Sequence, residues 1–212
     1  MVIAIDGPAG AGKSTVARAL AADLGLTYLD SGAMYRSLAY AALRDGITTA
    51  DSAALGALAG ELEIEFRDGR VELGAEDVSE AIREPDVSVA ASQVSVHPEV
   101  REAMVSRQQR MIDAADYVAE GRDIGTVVSP GPPLKVFLTA DPAERARRRA
   151  LETGEDPEAV ASAQADRDDR DRDREHGALR AAEDAVVLDT TGVALEDVVA
   201  RIAALARERG LA

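Results

Sequence analysis

Apolar positions change their period several times along the chain, and each change marks an element. Val2 to Ile5 is an unbroken apolar run, the mark of a strand buried on both faces, and glycine-rich GPAGAGKST follows at once. From Ser14 to Leu24 the period lengthens to that of a helix, with Val16, Leu20 and Leu24 on one face and Gly25 placed to cap it. Thr27 to Leu29 is a second short strand, and Ala33 to Leu43 a helix ended near Gly46. From about Thr48 to Pro98 the pattern differs. A helix at Ser52 to Glu61 precedes LEIEF and RVEL, which alternate about the Asp68-Gly69 turn and predict a hairpin. A hairpin is foreign to a strand-helix-strand rhythm, so residues 48–98 read as an insertion.

A long helix from Pro98 to about Ala114 leads back into that rhythm. Strands follow at Tyr117 to Ala119 and Leu134 to Leu138, then a helix from Pro142, a charged helical stretch to about Arg174, and a strand at Ala185 to Leu188. In the last helix Leu195, Val198, Val199, Ile202 and Leu205 form one apolar face. Five short strands alternating with helices imply an α/β fold with a parallel, helix-covered sheet. No repeat and no linker separates domains, and 212 residues suit a single core with small insertions.

Composition narrows the chemistry. Apolar residues make up 46% and charged residues 30%, as in a soluble folded chain, and no apolar run approaches the roughly 18 residues of a membrane span. The N-terminal run resembles a strand and not a secretion signal, so a cytoplasmic location is expected. With no cysteine and two histidines, a thiolate or histidine-rich metal site is not expected, and any metal should be held by oxygen. A net charge of -15 argues against a nucleic-acid surface but leaves room for a small anion. Nearly all cations are arginine, Lys13 and Lys135 being the only lysines.

Lys13 has a position that speaks for itself. Gly7 to Ser14, GPAGAGKS, fits G-x-x-x-x-G-K-[ST] between a strand and a helix. Glycines let backbone N–H groups turn inward on phosphate oxygens, the helix N-terminus adds positive dipole, Lys13 reaches the terminal phosphates, and Ser14 can ligate magnesium. A nucleoside triphosphate with Mg2+ is the ligand this predicts. A regulatory GTPase would need an Asn-Lys-x-Asp motif, and the chain has no asparagine. A small-molecule kinase fits the length and the insertion, because a second substrate needs a second pocket and mobile parts that exclude water.

Further segments carry a resemblance over essentially the whole chain. GPAGAGKST, YLDSGAMYR at 28–36, AASQVS at 90–95, VREAM at 100–104, GRDIGTVVSP at 121–130, KVFLTA at 135–140 and RDDRDRDR at 167–174 resemble the bacterial cytidylate kinases in order and spacing. The resemblance implies a P-loop nucleoside monophosphate kinase fold: a five-stranded parallel sheet in a core of residues 1–47 and 99–212, a small monophosphate-binding insertion at about 48–98 with a hairpin, and a short lid at about 144–176. It implies ATP-dependent phosphorylation of CMP and dCMP, with no nucleic-acid or membrane partner. Gly7, Pro8, Ala9, Gly10, Ala11, Gly12, Lys13, Ser14 and Thr15 would bind ATP, Ser14 the metal. Ser92, Arg101 and Asp123 would read cytosine. Ser31, Arg36, Arg122 and Arg174 would hold the acceptor phosphate, and Arg167 with Asp171 the sugar. Lys13, Arg122 and Arg174 would carry the catalysis. Cytosine offers an amino donor with ring nitrogen and carbonyl acceptors, which a carboxylate, a guanidinium and a hydroxyl complement.

Each residue has a plainer rival role: Asp123 an ion pair with a neighbour, Arg36 a solvated helix face, Ser92 packing on an alanine-rich helix, His97 and His176 structural or exposed positions. If DRDDRDRDRE at 166–175 is helical, Arg167, Asp171 and Arg174 share one face at i, i+4 and i+7. Asp168, Arg172 and Glu175 then fall on the neighbouring face, with Asp168 and Arg172 as an exposed pair. The aspartates would hold the guanidiniums ordered and apart when no phosphate is bound. One or more of Arg145, Arg147, Arg148 and Arg149 should approach ATP. The chain departs from the family with Gly177, Ala178 and Leu179 where many members have serine-proline-leucine, and with Glu120 for the usual aspartate before GRD. Two other readings are a kinase for a different monophosphate or small hydroxylated metabolite, and a nucleotide-switched interaction module without turnover. The absence of a long exposed apolar stripe favours a monomer.

Overall fold

The computed structural model describes residues 1–67 and 69–211. The chain forms two compact units, Met1–Asp30 with the chain from Gln109 onward, and Ser31–Gln108.

The first unit is built on β1, Val2–Asp6, whose five residues are all buried. It is the middle of a five-stranded parallel sheet. β2 (Thr27–Asp30) lies outside β6 (Tyr117–Gly121), which pairs with β1; β7 (Leu134–Thr139) pairs with β1 on the other side, and β8 (Val186–Asp189) lies beyond β7. Strands covered on both faces lose water from every side chain, which accounts for the unbroken apolar runs. Helix α1 (Lys13–Leu24) places Val16, Ala17, Leu20 and Ala21 in the core beside Ile3, Ile5, Leu134, Val136 and Leu138. It ends on Gly25 in the left-handed conformation a glycine takes without penalty. Helix α8 (Leu195–Glu208) adds Val198, Ile202, Ala203 and Ala206 to the same cluster, with Leu195, Val199 and Leu205 partly buried against it.

Two helices, α6 (Pro142–Thr153) and α7 (Pro157–Arg172), pack on one another around Ala146, Ala150 and Val160. Both start with an aspartate N-cap followed by proline: Asp141 accepts from the N–H groups of Ala143 and Glu144, and Asp156 from that of Ala159. α7 stops at Arg172, so Arg174 lies past the C-cap and not on the helix that its spacing suggested.

The second unit contains α2 (Ser31–Arg44), α3 (Ser52–Glu61), α4 (Pro85–Val94) and the first part of α5 (Pro98–Ala114). Its antiparallel sheet joins β3 (Ile64–Arg67), β4 (Arg70–Leu73) and the short β5 (Glu76–Asp77). β3 and β4 pair in register from Ile64 opposite Leu73 to Arg67 opposite Arg70. Asp68 of the expected turn lies outside the described residues. Residues 48–98, read from the sequence as an insertion, fall inside this unit. No described helix is long and apolar enough to cross a membrane.

Candidate active site

In a parallel sheet the strands' carboxyl ends are where ligands meet loops and helix N-termini. Here those ends carry Asp6 and Gly7, Glu120 through Asp123, and the turn after β7.

The phosphate loop runs from Gly7 to Thr15 and opens directly into α1. Gly7 admits no side chain, since a Cβ there would lie 2.1 Å from the Leu138 carbonyl oxygen of β7. Gly12, at φ 84°, turns the chain into the helix. Lys13 is buried and its ammonium donates to the carbonyl of Pro8 at 2.7 Å. Burial and then the nearby Arg122 charge pull the Lys13 pKa well down, with Glu120 opposing them. Glu120 is itself 3% exposed. It accepts from the hydroxyls of Ser14 and Tyr28, and burial, followed by the Asp30 charge, pushes its pKa up. The Ser14 hydroxyl and the Glu120 carboxylate are hard oxygen donors at the head of α1. That donor set suits Mg2+, a metal that keeps several waters and takes few protein ligands. Among the described residues no group of three or more His, Cys, Asp or Glu could hold a metal ion.

Arg122, Arg167, Asp171 and Arg174 come together in the first unit. Asp171 is 1% exposed: its Oδ2 accepts from Arg122 Nε at 2.8 Å and its Oδ1 from Arg174 Nη2. Desolvation works to raise the Asp171 pKa, but the charges of Arg122, Arg174 and Arg167 outweigh it and hold the carboxyl below its usual range. Asp123 is buried at the entry to a π-helical turn, Ile124–Val128, and its carbonyl accepts from the N–H groups of Val127 and Val128. Arg122 directs its Nε to Asp171.

In the second unit Ser31 is buried at the start of α2 and Arg36 is half-buried one turn later. Ser92 is 2% exposed on α4, and Arg101, 4% exposed on α5, donates from Nη1 to the Tyr35 hydroxyl at 3.4 Å. His97 is held by the carbonyl of Thr49, 2.7 Å from its Nε2, and His176 is exposed.

The structure corrects the expected exposed pair of Asp168 with Arg172. Asp168 is 1% exposed, and its Oδ2 accepts from Arg145 Nη1 at 2.6 Å while Arg172 lies at 3.9 Å. The cause is the packing of α6 on α7, which covers that face of the charged helix. Arg145 also donates to the carbonyl of Ala9 at 2.9 Å, and Asp168 Oδ1 accepts from the Ala9 N–H at 3.4 Å. The α6–α7 pair therefore clasps the phosphate loop at Ala9 from both of its backbone polar groups. Arg148 donates to the carbonyl and hydroxyl of Thr190, with Nη1 3.8 Å from where a Cβ on Gly12 would stand. Arg147 pairs outward with Glu144, and Arg149 with Glu152. Sequence reading missed the Asp168–Arg145 clasp, which no local pattern announces. It also passed over Asp6, although a carboxylate closing an otherwise apolar strand was a visible signal.

A central strand running into a glycine loop, and that loop into a helix, in a helix-covered parallel sheet, defines the class as a P-loop kinase fold. The chain is also similar in structure to a gluconokinase from Sinorhizobium meliloti, at a TM-score of 0.52 and 17% identity over 99% of this chain and 93% of that one, a likeness of fold alone. The family model described as cytidylate kinase matches residues 3–208, and the chain belongs to that family. It is 46% identical to a cytidylate kinase of Solibacter usitatus, covering 99% of this chain and 93% of the relative. It is also 46% identical to a cytidylate kinase of Stutzerimonas stutzeri, over 100% of this chain and 97% of the relative.

Proposed function

We propose that this protein transfers the γ-phosphoryl group of ATP to the phosphate of CMP and dCMP, giving ADP with CDP or dCDP. The observation that carries this is a phosphate loop and an arginine cluster around Asp171 within one parallel-sheet unit, in a chain that matches cytidylate kinases over nearly its full length.

The reaction needs alignment and charge neutralisation more than covalent help. Gly10 to Ser14 offer backbone N–H groups to the donor phosphates, and Thr15 extends that helix N-terminus. Lys13 leaves the Pro8 carbonyl and moves its charge to the terminal phosphates, a cation that protein burial has already made less comfortable than a phosphate partner would. Ser14, beside Glu120, would hold Mg2+, which would supply positive charge against the transferring phosphoryl group. Arg122 and Arg174, with Ser31 and Arg36, hold the acceptor phosphate; Asp171 keeps two of these guanidiniums ordered beforehand, so less side-chain entropy is lost on binding. Arg167 and Asp171 hold the sugar. Asp123 accepts from the cytosine amino group while Arg101 and Ser92 face its acceptors. No general base is required, because the acceptor phosphate oxygen is already anionic near neutral pH. In this reading residues 48–98 form the monophosphate-binding insertion, residues 144–176 the lid, and the protein works as a cytoplasmic monomer.

The test is a steady-state assay of ADP formation from ATP and Mg2+ with CMP, dCMP, UMP, AMP and GMP in parallel. Turnover is expected with CMP and dCMP above the others. Preference for AMP or UMP would overturn the cytosine reading, and turnover with none would leave only the phosphate loop.

A further inference from the structure

The mechanism above makes no use of the two hydrogen bonds that end β1. Asp6, the residue before Gly7, is 5% exposed. Its Oδ1 accepts from the Ile124 N–H at 2.9 Å and its Oδ2 from the Gly125 N–H at 2.8 Å. These are the first donors of the turn Ile124–Val128, which no carbonyl inside the turn can satisfy. On its other side the turn is tied to Asp123, whose carbonyl accepts from the N–H groups of Thr126, Val127 and Val128. The backbone of Arg122 and Asp123 thus enters a turn whose start is gripped by a two-pronged carboxylate from the neighbouring strand.

We infer that Asp6 is a positioning residue for the acceptor nucleotide: it sets the Arg122–Asp123 backbone against the phosphate loop, because the same residue ends β1 and grips that turn. The inference rests on the acceptor roles given above to Arg122 and Asp123.

Two further observations support it. Burial pushes the Asp6 carboxyl up to about 6, even though both N–H bonds, and the nearby Lys13, work to hold it ionised against the burial and the charge of Asp123. A buried carboxylate is a costly way to satisfy two N–H groups, and its advantage over a hydroxyl is geometric: two oxygens fixed in one plane set two backbone atoms at once. The space is also tight. A Cβ on Gly125 would stand 3.3 Å from Asp6 Oδ2 and 3.3 Å from the side chain of Lys135 on β7. An error of about 1 Å in such a turn is enough to misalign a reacting phosphate.

Two variants test this, after the wild-type protein has been assayed with the five monophosphates. Asp6→Asn replaces one acceptor oxygen by an amide that faces an N–H. The KM for CMP should rise by about tenfold, as expected when the binding groups of Arg122 and Asp123 are displaced, and the preference for CMP over UMP should shrink, while the KM for ATP changes less than about twofold. Gly125→Ala presses on the same carboxylate from the other side and should raise the CMP KM by about threefold in the same selective way. Melting temperatures report folding, and Gly125→Ala carries the test if Asp6→Asn does not fold. A lowered melting temperature with an unchanged ratio of CMP KM to ATP KM in the folded variants would overturn the inference and leave Asp6 as an anchor of the fold. Wild-type protein that does not turn over CMP would instead break the acceptor reading, and the role of Asp6 with it.

Discussion

Arginine–carboxylate pairs occur in both units, and they do opposite things. In the second unit Arg67 reaches Glu65 at 2.6 Å and Glu72 at 3.5 Å, and Arg44 reaches Glu76 at 3.3 Å, with every side chain but Glu72 largely in water. In the first unit Asp171 between Arg122 and Arg174, and Asp168 against Arg145, are closed off from solvent. Water already solvates the first set, so forming those pairs gains little. Desolvation has been imposed on the second set, so each charge there depends on its partner. Identical residue types are therefore surface pairs around the antiparallel sheet and buried, partner-dependent pairs along α7. Distance alone does not distinguish them, since 2.6 Å occurs in both regions.

Removing single members would break or sharpen that contrast. The largest effect is expected from Asp171→Ala, which removes the buried carboxylate that both Arg122 and Arg174 donate to; stability measured by denaturant unfolding should fall by about 3–5 kcal/mol, with a raised KM for CMP. Lys13→Met should lower turnover by two to three orders of magnitude, roughly the loss seen when one transition-state donor is removed. The same variant should melt higher than wild type. A lysine whose pKa is lowered to about 7 in the fold costs stability wherever it is charged, and that cost is greatest below pH 7 and fades towards 10.5. The gain in melting temperature should accordingly be larger at pH 6 than at pH 9. Asp168→Ala should cost less than Asp171→Ala, about 1–3 kcal/mol, because Arg145 keeps the Ala9 carbonyl as a partner. Its functional sign should be a raised KM for ATP, as the clasp on the phosphate loop loosens. Arg67→Ala, at the exposed end of the comparison, should leave the melting temperature unchanged in a calorimetric scan. A clear loss there would show that exposure is the wrong criterion.

Much of this protein is readable along the chain because the signals are local. The run Val2–Asp6 followed by a glycine loop and an alanine-rich helix states its own structure, since β-branched residues, positive-φ glycines and helical spacing act within a few residues of each other. The helix Ser52–Glu61 and the start of Pro98–Ala114 were legible for the same reason, from an aspartate cap and a proline at the first turn. The short β5 was not, because two residues leave no periodicity to read. Neither was the π-helical turn after Asp123, whose geometry is held by Asp6 from a strand more than a hundred residues away in sequence.

The charged stretch 166–175 marks the boundary between the two kinds of knowledge. Residue order alone determined that Arg167 and Asp171 share a helical face, that a phosphate loop opens the chain and that the fold is a parallel sheet covered by helices. Which carboxylates leave water was decided only in three dimensions. Asp168 and Asp169 are neighbours of the same type, yet Asp168 is buried against Arg145 and Asp169 stays exposed, because α6 happens to cover one side of α7. Burial is a property of what packs over a residue, and the sequence around it carries no term for that.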